Sequence, residues 1–182
     1  MIEKIRNCQK CNLCFNQRPL LDIEKECQVF WVGLSAKKIM SDSEKPLSPD
    51  TNTGMLIQKI EETCKGITTY KTNLVKCLPL TEQQKLRYPN KKEIDSCFGH
   101  LQDEIDWMSP RIVFLLGEKV YSSVGKKLRL DFEKWDDFDF QYKEHNGIYY
   151  VPIHHPSHIC VYKRKRMDEY IESVEKMIRK LV

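Results

Sequence analysis

Five of the chain's 8 cysteines stand where metal chemistry is possible. Cys8-Gln9-Lys10-Cys11 is a C-x-x-C pair, and Cys14 follows closely. Cys77 ends an apolar segment, and Cys97 lies inside an amphipathic one. Four soft thiolates arranged tetrahedrally hold zinc or an iron–sulfur cluster. The C-x-x-C pair would supply two ligands from one turn, and the distant pair would close the site. Cys14 could replace Cys8 or Cys11 in such a set. The competing reading is a frayed terminus with solvent-exposed thiols. Cys27, Cys64 and Cys160 lack this context and read as small buried hydrophobes or free thiols. A second feature is Lys163-Arg164-Lys165-Arg166, four consecutive cations. They could neutralise phosphates, or form a solvated charge run at a helix start.

These residues need a scaffold. The chain has 182 residues, 30 Lys+Arg against 26 Asp+Glu, and a formal net charge of +4. That length suits one compact domain, residues 1–182, with a real core. Hydrophobic residues make up 41% and charged residues 31%, with 7 Gly and 8 Pro, which excludes collagen-like and long disordered classes. No apolar run approaches the roughly 20 residues that span a bilayer, and the first residues do not read as a signal peptide. The expectation is a cytoplasmic protein with reduced thiols and no membrane partner, in which cysteines serve as metal ligands or reactive groups rather than a disulfide framework. The small positive charge permits nucleic-acid binding without demanding it.

Four apolar segments read as strands: Gln28–Gly33, Lys71–Cys77, Arg111–Gly117 and Ile148–His154. The first and third are nearly continuous in apolar residues, the pattern of strands buried on both faces. Helical spacing alternates with them over Asn52–Cys64, Lys91–Trp107, Glu118–Lys127 and Met167–Leu181. This alternation predicts an α/β fold, a three-layer α/β/α sandwich around a mostly parallel four-stranded sheet. Ligands of such sheets bind outside the carboxyl ends of the strands. The segments to search are therefore Leu34–Lys38, Cys77–Leu80, Gly117–Val120 and His155–Ile159. Trp135–Phe140, acidic and aromatic, reads as a loop or edge hairpin.

The order of motifs resembles the uracil-DNA glycosylase superfamily, in particular its iron–sulfur branch. Cys8, Cys11 and Leu13 are similar to that branch's N-terminal cluster motif. V-G-L-S-A (Val32–Ala36) occupies the place of its G-E-A-P-G motif. Pro46-Leu47 followed by Gly54-Met55-Leu56 resembles its P-F-V-G-x-x-G-x-L-L segment. T-N-L-V-K-C (Thr72–Cys77) is close to its T-N-V-V-K-C. Glu93–Cys97 with the following S-P-R-I-V-F-L-L-G resembles its E-I-x-x-C … P-x-I-V-x-L-G, and His155-Pro156-Ser157 its H-P-S motif. Six pieces in order cover essentially the whole chain.

The resemblance implies a [4Fe–4S] cluster of structural role on Cys8, Cys11, Cys77 and Cys97, with zinc as the alternative occupant. It implies a monomer that takes a uracil or otherwise modified base out of DNA and hydrolyses its glycosidic bond. Asn73 would pair with N3–H and O4 of the base through its carboxamide, and His155 would donate to the oxygen that gains charge. The alternatives are an Asn bonding local backbone and a surface or satisfied core histidine. Gly33, Leu34 and Leu47 would complete the base site, with Leu47 where the family stacks a Phe. The motif's carboxylate is replaced by Leu34, which cannot polarise water. Ser35 could hold a water, and Asp42, Glu44 or Asp50 could substitute for the carboxylate. Ser157 would meet a phosphate, His158 or Ile159 would fill the vacated stack, and Lys163, Arg164, Lys165 and Arg166 would contact the DNA backbone. Thr81–Asn90 lacks the His of members that trap DNA covalently, so no such adduct is expected.

A second class of reading keeps the fold, cluster and pocket but makes the protein a non-catalytic binder of DNA or bases. A third makes it a zinc-bound nucleotide-handling α/β protein unrelated to repair.

Overall fold

The computed structural model describes residues 1–41, 43–133 and 137–182. Its sheet contains β1 (Val29–Ser35), β2 (Thr69–Val75), β3 (Ile112–Leu116), β4 (Lys143–His145) and β5 (Ile148–Ile153), in the order β2-β1-β3-β5-β4. The pairs β1–β2, β1–β3 and β3–β5 are parallel. The apolar runs at Val29–Val32 and Ile112–Leu116 are buried throughout, as strands covered on both faces require. Alternate side chains feed two cores. Trp31 and Phe114 stack at 4.6 Å on the side of α2 (Asn52–Thr63), α5 (Pro156–Tyr162) and α6 (Met167–Leu181). Phe30, Val32, Val113 and Leu115 face α3 (Lys91–Met108) and α4 (Glu118–Leu128). The three-layer α/β/α expectation holds.

The strand number is five rather than four. β4 pairs antiparallel with β5 across Asn146-Gly147, whose φ values of 51° and 77° are those of a type I′ turn. β4 is a three-residue polar edge strand, so no apolar period marks it; the Asn-Gly pair was its only sequence signal. The edge hairpin thus lies downstream of Trp135–Phe140. Within that segment residues 134–136 lie outside the described ones, while Phe138 and Phe140 are buried against Tyr170 and His154.

Local chemistry fixes the helix starts. Thr51 Oγ1 accepts from Gly54 N at 3.0 Å to cap α2. Asn90 and Glu93 form a reciprocal capping box on α3. α5 opens with Pro156 at its first turn and is only seven residues long, too short to declare itself by periodicity. The N-terminal segment forms a short helix, α1 (Ile2–Arg6), and a 3₁₀ turn over Asn12–Phe15.

Candidate active site and metal centre

β1, β2, β3 and β5 end on one edge of the sheet, and a cavity of about 940 Å³ opens there. Its wall carries Gly33, Leu34, Ser35, Leu47, Asn73, His155, Ser157 and His158 together. Asn73 pairs in register with Gly33 and is 3% exposed. A Cβ on Gly33 would overlap Asn73 Oδ1 and come within 2.9 Å of Leu47 Cδ2. Glycine is therefore what lets the carboxamide lie flat against β1. The Asn73 side chain forms no hydrogen bond with the described residues, while its backbone carbonyl accepts from Lys76 Nζ at 2.6 Å. A donor–acceptor group is thus held in place by its own main chain and left open to the cavity.

Leu47 reaches the same wall from the loop before α2. Its φ of 51° is a left-handed conformation that costs a leucine about 1–3 kcal/mol. Close packing holds it there: a Cβ on Gly54 would overlap the carbonyl oxygens of Leu47 and Ser48. His155 caps α5, its Nδ1 accepting from Ser157 N at 3.3 Å. With Nδ1 accepting, the ring proton sits on Nε2. Burial pushes the His155 pKa down, with a smaller contribution from His158, so the imidazole is neutral near pH 7. Gly117, at φ 85°, lets β3 turn into α4 beside it; a Cβ there would be 3.1 Å from His155 Cβ.

Below β2 a second, smaller cavity gathers Cys8, Cys11, Cys14, Cys77 and Cys97 with Lys76 and His100. Backbone N–H groups of Lys10 and Lys76 point at Cys8 Sγ and Cys97 Sγ, at 3.5 and 3.4 Å. Burial pushes the Cys77 thiol up to about 12, and the neighbouring Cys97, Cys11, Cys8 and Cys14 add to the shift. Crowded thiolates repel one another, and a soft cation relieves that repulsion. No three of these side chains among the described residues reach the spacing of a closed ligand set. The donor chemistry and the convergence of five thiols nevertheless fit a thiolate-bound metal centre.

A model of the uracil DNA glycosylase superfamily matches residues 14–179. The chain belongs to the uracil-DNA glycosylase superfamily. The type-4 uracil-DNA glycosylase of Sulfurisphaera tokodaii is 23% identical over 189 residues, covering 98% of this chain and 82% of that one. The crystal structure of wild-type Pedobacter heparinus SMUG2 has a TM-score of 0.56 to this fold, with 13% identity, covering 87% of this chain and 77% of that one.

For this superfamily member, several expected residues stand elsewhere. Glu44 and Asp50 are both held by Lys37, Asp50 at 2.7 Å, and those bonds pull both carboxyl pKa values down. They border a neighbouring depression rather than the cavity of Asn73 and His155. Asp42 lies outside the described residues. Among the described residues the cavity wall carries a single carboxylate, Glu118, the exposed first residue of α4. Its segment followed a strand, but only the sheet order reveals that the end of β3 lies between those of β1 and β5.

His154 does not enter the cavity wall. Its Nε2 is 2.6 Å from the Asp137 carbonyl, and its ring packs on Phe138 and Phe140. Ile159 is buried in the core and cannot fill a vacated base stack. His158 remains exposed at the cavity mouth, 4.9 Å from the Tyr162 ring.

The four-cation run is not uniform. Lys163 and Arg166 both pair with Asp137, and Arg166 also with Glu169. Arg164 and Lys165 have no partner among the described residues, and none of the four lines the cavity. The cations on its wall are Lys37, Arg87 and Lys119. Sequence reading missed these because their neighbours in the chain carry no basic run.

Proposed function

We propose that the protein binds a flipped-out uracil or related damaged or modified base in DNA and hydrolyses its N-glycosidic bond, a step of base excision repair. The convergence of the unbonded Asn73 carboxamide and the neutral His155 imidazole in one cavity carries this reading. Asn73 pairs through acceptor and donor with N3–H and O4 of the base, while Leu47 covers one face. As the N1–C1′ bond breaks, its electron pair goes to the base. His155 Nε2–H donates to the pyrimidine oxygen that becomes negative. Water then adds to C1′ of the sugar cation, and its surplus proton passes to the departed base anion or to solvent. Leu34 cannot orient that water, so the task falls to Ser35 and to Glu118.

Cys8, Cys11, Cys77 and Cys97 hold a [4Fe–4S] cluster in this reading, with Cys14 an adjacent thiol. The cluster's contribution is structural, tying the N-terminal segment to β2 and α3. DNA phosphates meet Ser157, Lys119 and the cations Arg164 and Lys165, which have no partner among the described residues, with His158 at the cavity mouth.

A uracil-containing oligonucleotide cleaved with alkali after incubation tests the reading. Asn73→Ala and His155→Ala should each lower abasic-site formation by roughly 100- to 1000-fold while leaving the fold intact. Full activity in either variant removes that residue from its role. Leu34 favours a second reading, a base-binding protein without catalysis. In that case the wild type retains modified DNA but forms no abasic site.

A further inference from the structure

Cys97 and His100 lie one turn apart on α3, so their side chains share a face. His100 is 1% exposed, and neither Nδ1 nor Nε2 has a hydrogen-bond partner among the described residues. Buried ring nitrogens almost always have partners, so two unpaired ones on one residue require an explanation. The ring lines the same cavity as Cys8, Cys11, Cys14, Cys77 and Cys97. Of the charged groups around it, the Lys10 ammonium lines the cavity but cannot accept a ring N–H, and the other lysines are engaged elsewhere. Lys76 is bonded to Glu104, Thr72 and Asn73, and Lys4 is paired with Asp103. Besides the Ser96 hydroxyl, the cysteine sulfurs are the side-chain acceptors left in that cavity among the described residues. Two of them already take backbone N–H groups, from Lys10 and Lys76, and none takes a side-chain donor among the described residues.

We propose that His100 is the side-chain hydrogen-bond donor to the metal–thiolate centre, giving one ring N–H to a cysteine thiolate or a cluster sulfide. This rests on the reading of the four cysteines as cluster ligands. An imidazole carries at least one N–H in either protonation state, so donation needs no titration. Such a bond draws electron density from the sulfur. It favours the reduced cluster, raises its potential and slows its oxidative loss. His100 is a positioning and tuning residue, not a ligand, and the four cysteines retain the metal without it.

The test uses the full-length protein isolated without oxygen. Wild type is first assayed for iron and sulfide; an iron-free wild type overturns the cluster reading and this inference with it. With iron present, the reduced protein labelled with ¹⁵N-histidine should show nitrogen hyperfine coupling to the cluster by pulsed EPR. His100→Gln, with the same label, should lose that coupling yet keep a potential near wild type, since the amide still donates. His100→Leu should bind the same iron and sulfide, bleach faster in air and favour the oxidised state about tenfold, a fall of about 59 mV for one electron. Absence of coupling in iron-loaded wild type overturns the proposal even if neither variant folds. Unchanged potential and bleaching in His100→Leu would also overturn it, and would leave a buried water as the partner of the ring.

Discussion

Lys76 and Glu104 form an ion pair sealed inside the protein, their side chains 1% and 0% exposed. The ammonium also donates to Thr72 Oγ1 and to the Asn73 carbonyl, and Glu104 accepts from Tyr70 and Thr72. Lys76 stands just past the end of β2, three residues after Asn73, precedes Cys77, and gives its backbone N–H to Cys97. One buried pair therefore anchors both the open carboxamide and the thiol cavity to α3.

Removing Glu104 alone strands that ammonium. Glu104→Leu should lower unfolding stability by about 3–5 kcal/mol in urea. Lys76→Met with Glu104→Leu should recover much of it, because an apolar pair needs no desolvation of charge. A double variant as unstable as the single one would show that packing, not charge, dominates there.

Gly33 tests the close approach of β1 to Asn73. Gly33→Ala places a methyl on Asn73 Oδ1 and against Leu47. Overpacking should cost about 1–3 kcal/mol of stability. Base release should fall far more than stability, because the carboxamide is displaced from the cavity. Full activity with an intact fold would contradict the placement of Asn73 as the base reader.

The acid side of the activity profile should report His155. Its folded pKa is depressed by burial below the ordinary value of about 6.5. The stability it contributes is therefore complete above about pH 6.5 and is lost as pH falls through the depressed value. His154 shifts in the same direction and adds to that loss. Activity separates them, since only His155 lines the cavity. Protonation of Nδ1 removes the acceptor for Ser157 N, so single-turnover base release should be flat from neutral pH and fall only on the acid side of the ordinary imidazole value of about 6.5. An unchanged acid limb in His155→Asn would assign that limb to another group.

Salt dependence should separate the four cations. Arg164→Ala with Lys165→Ala should reduce the slope of log K for DNA against log salt by about 2, roughly one unit per lost phosphate contact. Lys163→Ala with Arg166→Ala should change the slope less, because Asp137 and Glu169 already pair with those side chains. Equal losses from the two pairs would contradict this division.

How much of this was readable in advance depended on whether the signal was local. The strands at Val29–Val32 and Ile112–Leu116 announced themselves by continuous apolar runs, and their parallel pairing followed from the helices between them. The polar strand Lys143–His145 did not, and the seven-residue α5 was too short to show a period. Asn73, His155 and the cysteines lay in motifs, so their convergence could be expected from order alone. The neutralisation of Lys163 by Asp137 spans 26 positions and has no local mark. Glu118 and His100 became visible only when sheet order and burial placed one on a cavity wall and the other against the thiols.

The most direct measurement is base release at stoichiometric protein from oligonucleotides carrying uracil, hypoxanthine, xanthine or modified pyrimidines. The expected result is alkali-labile abasic sites from at least one of them, formed by wild type and reduced at least 100-fold in Asn73→Ala. No abasic site from any substrate, with a folded and metal-loaded protein, would contradict the proposed glycosylase activity.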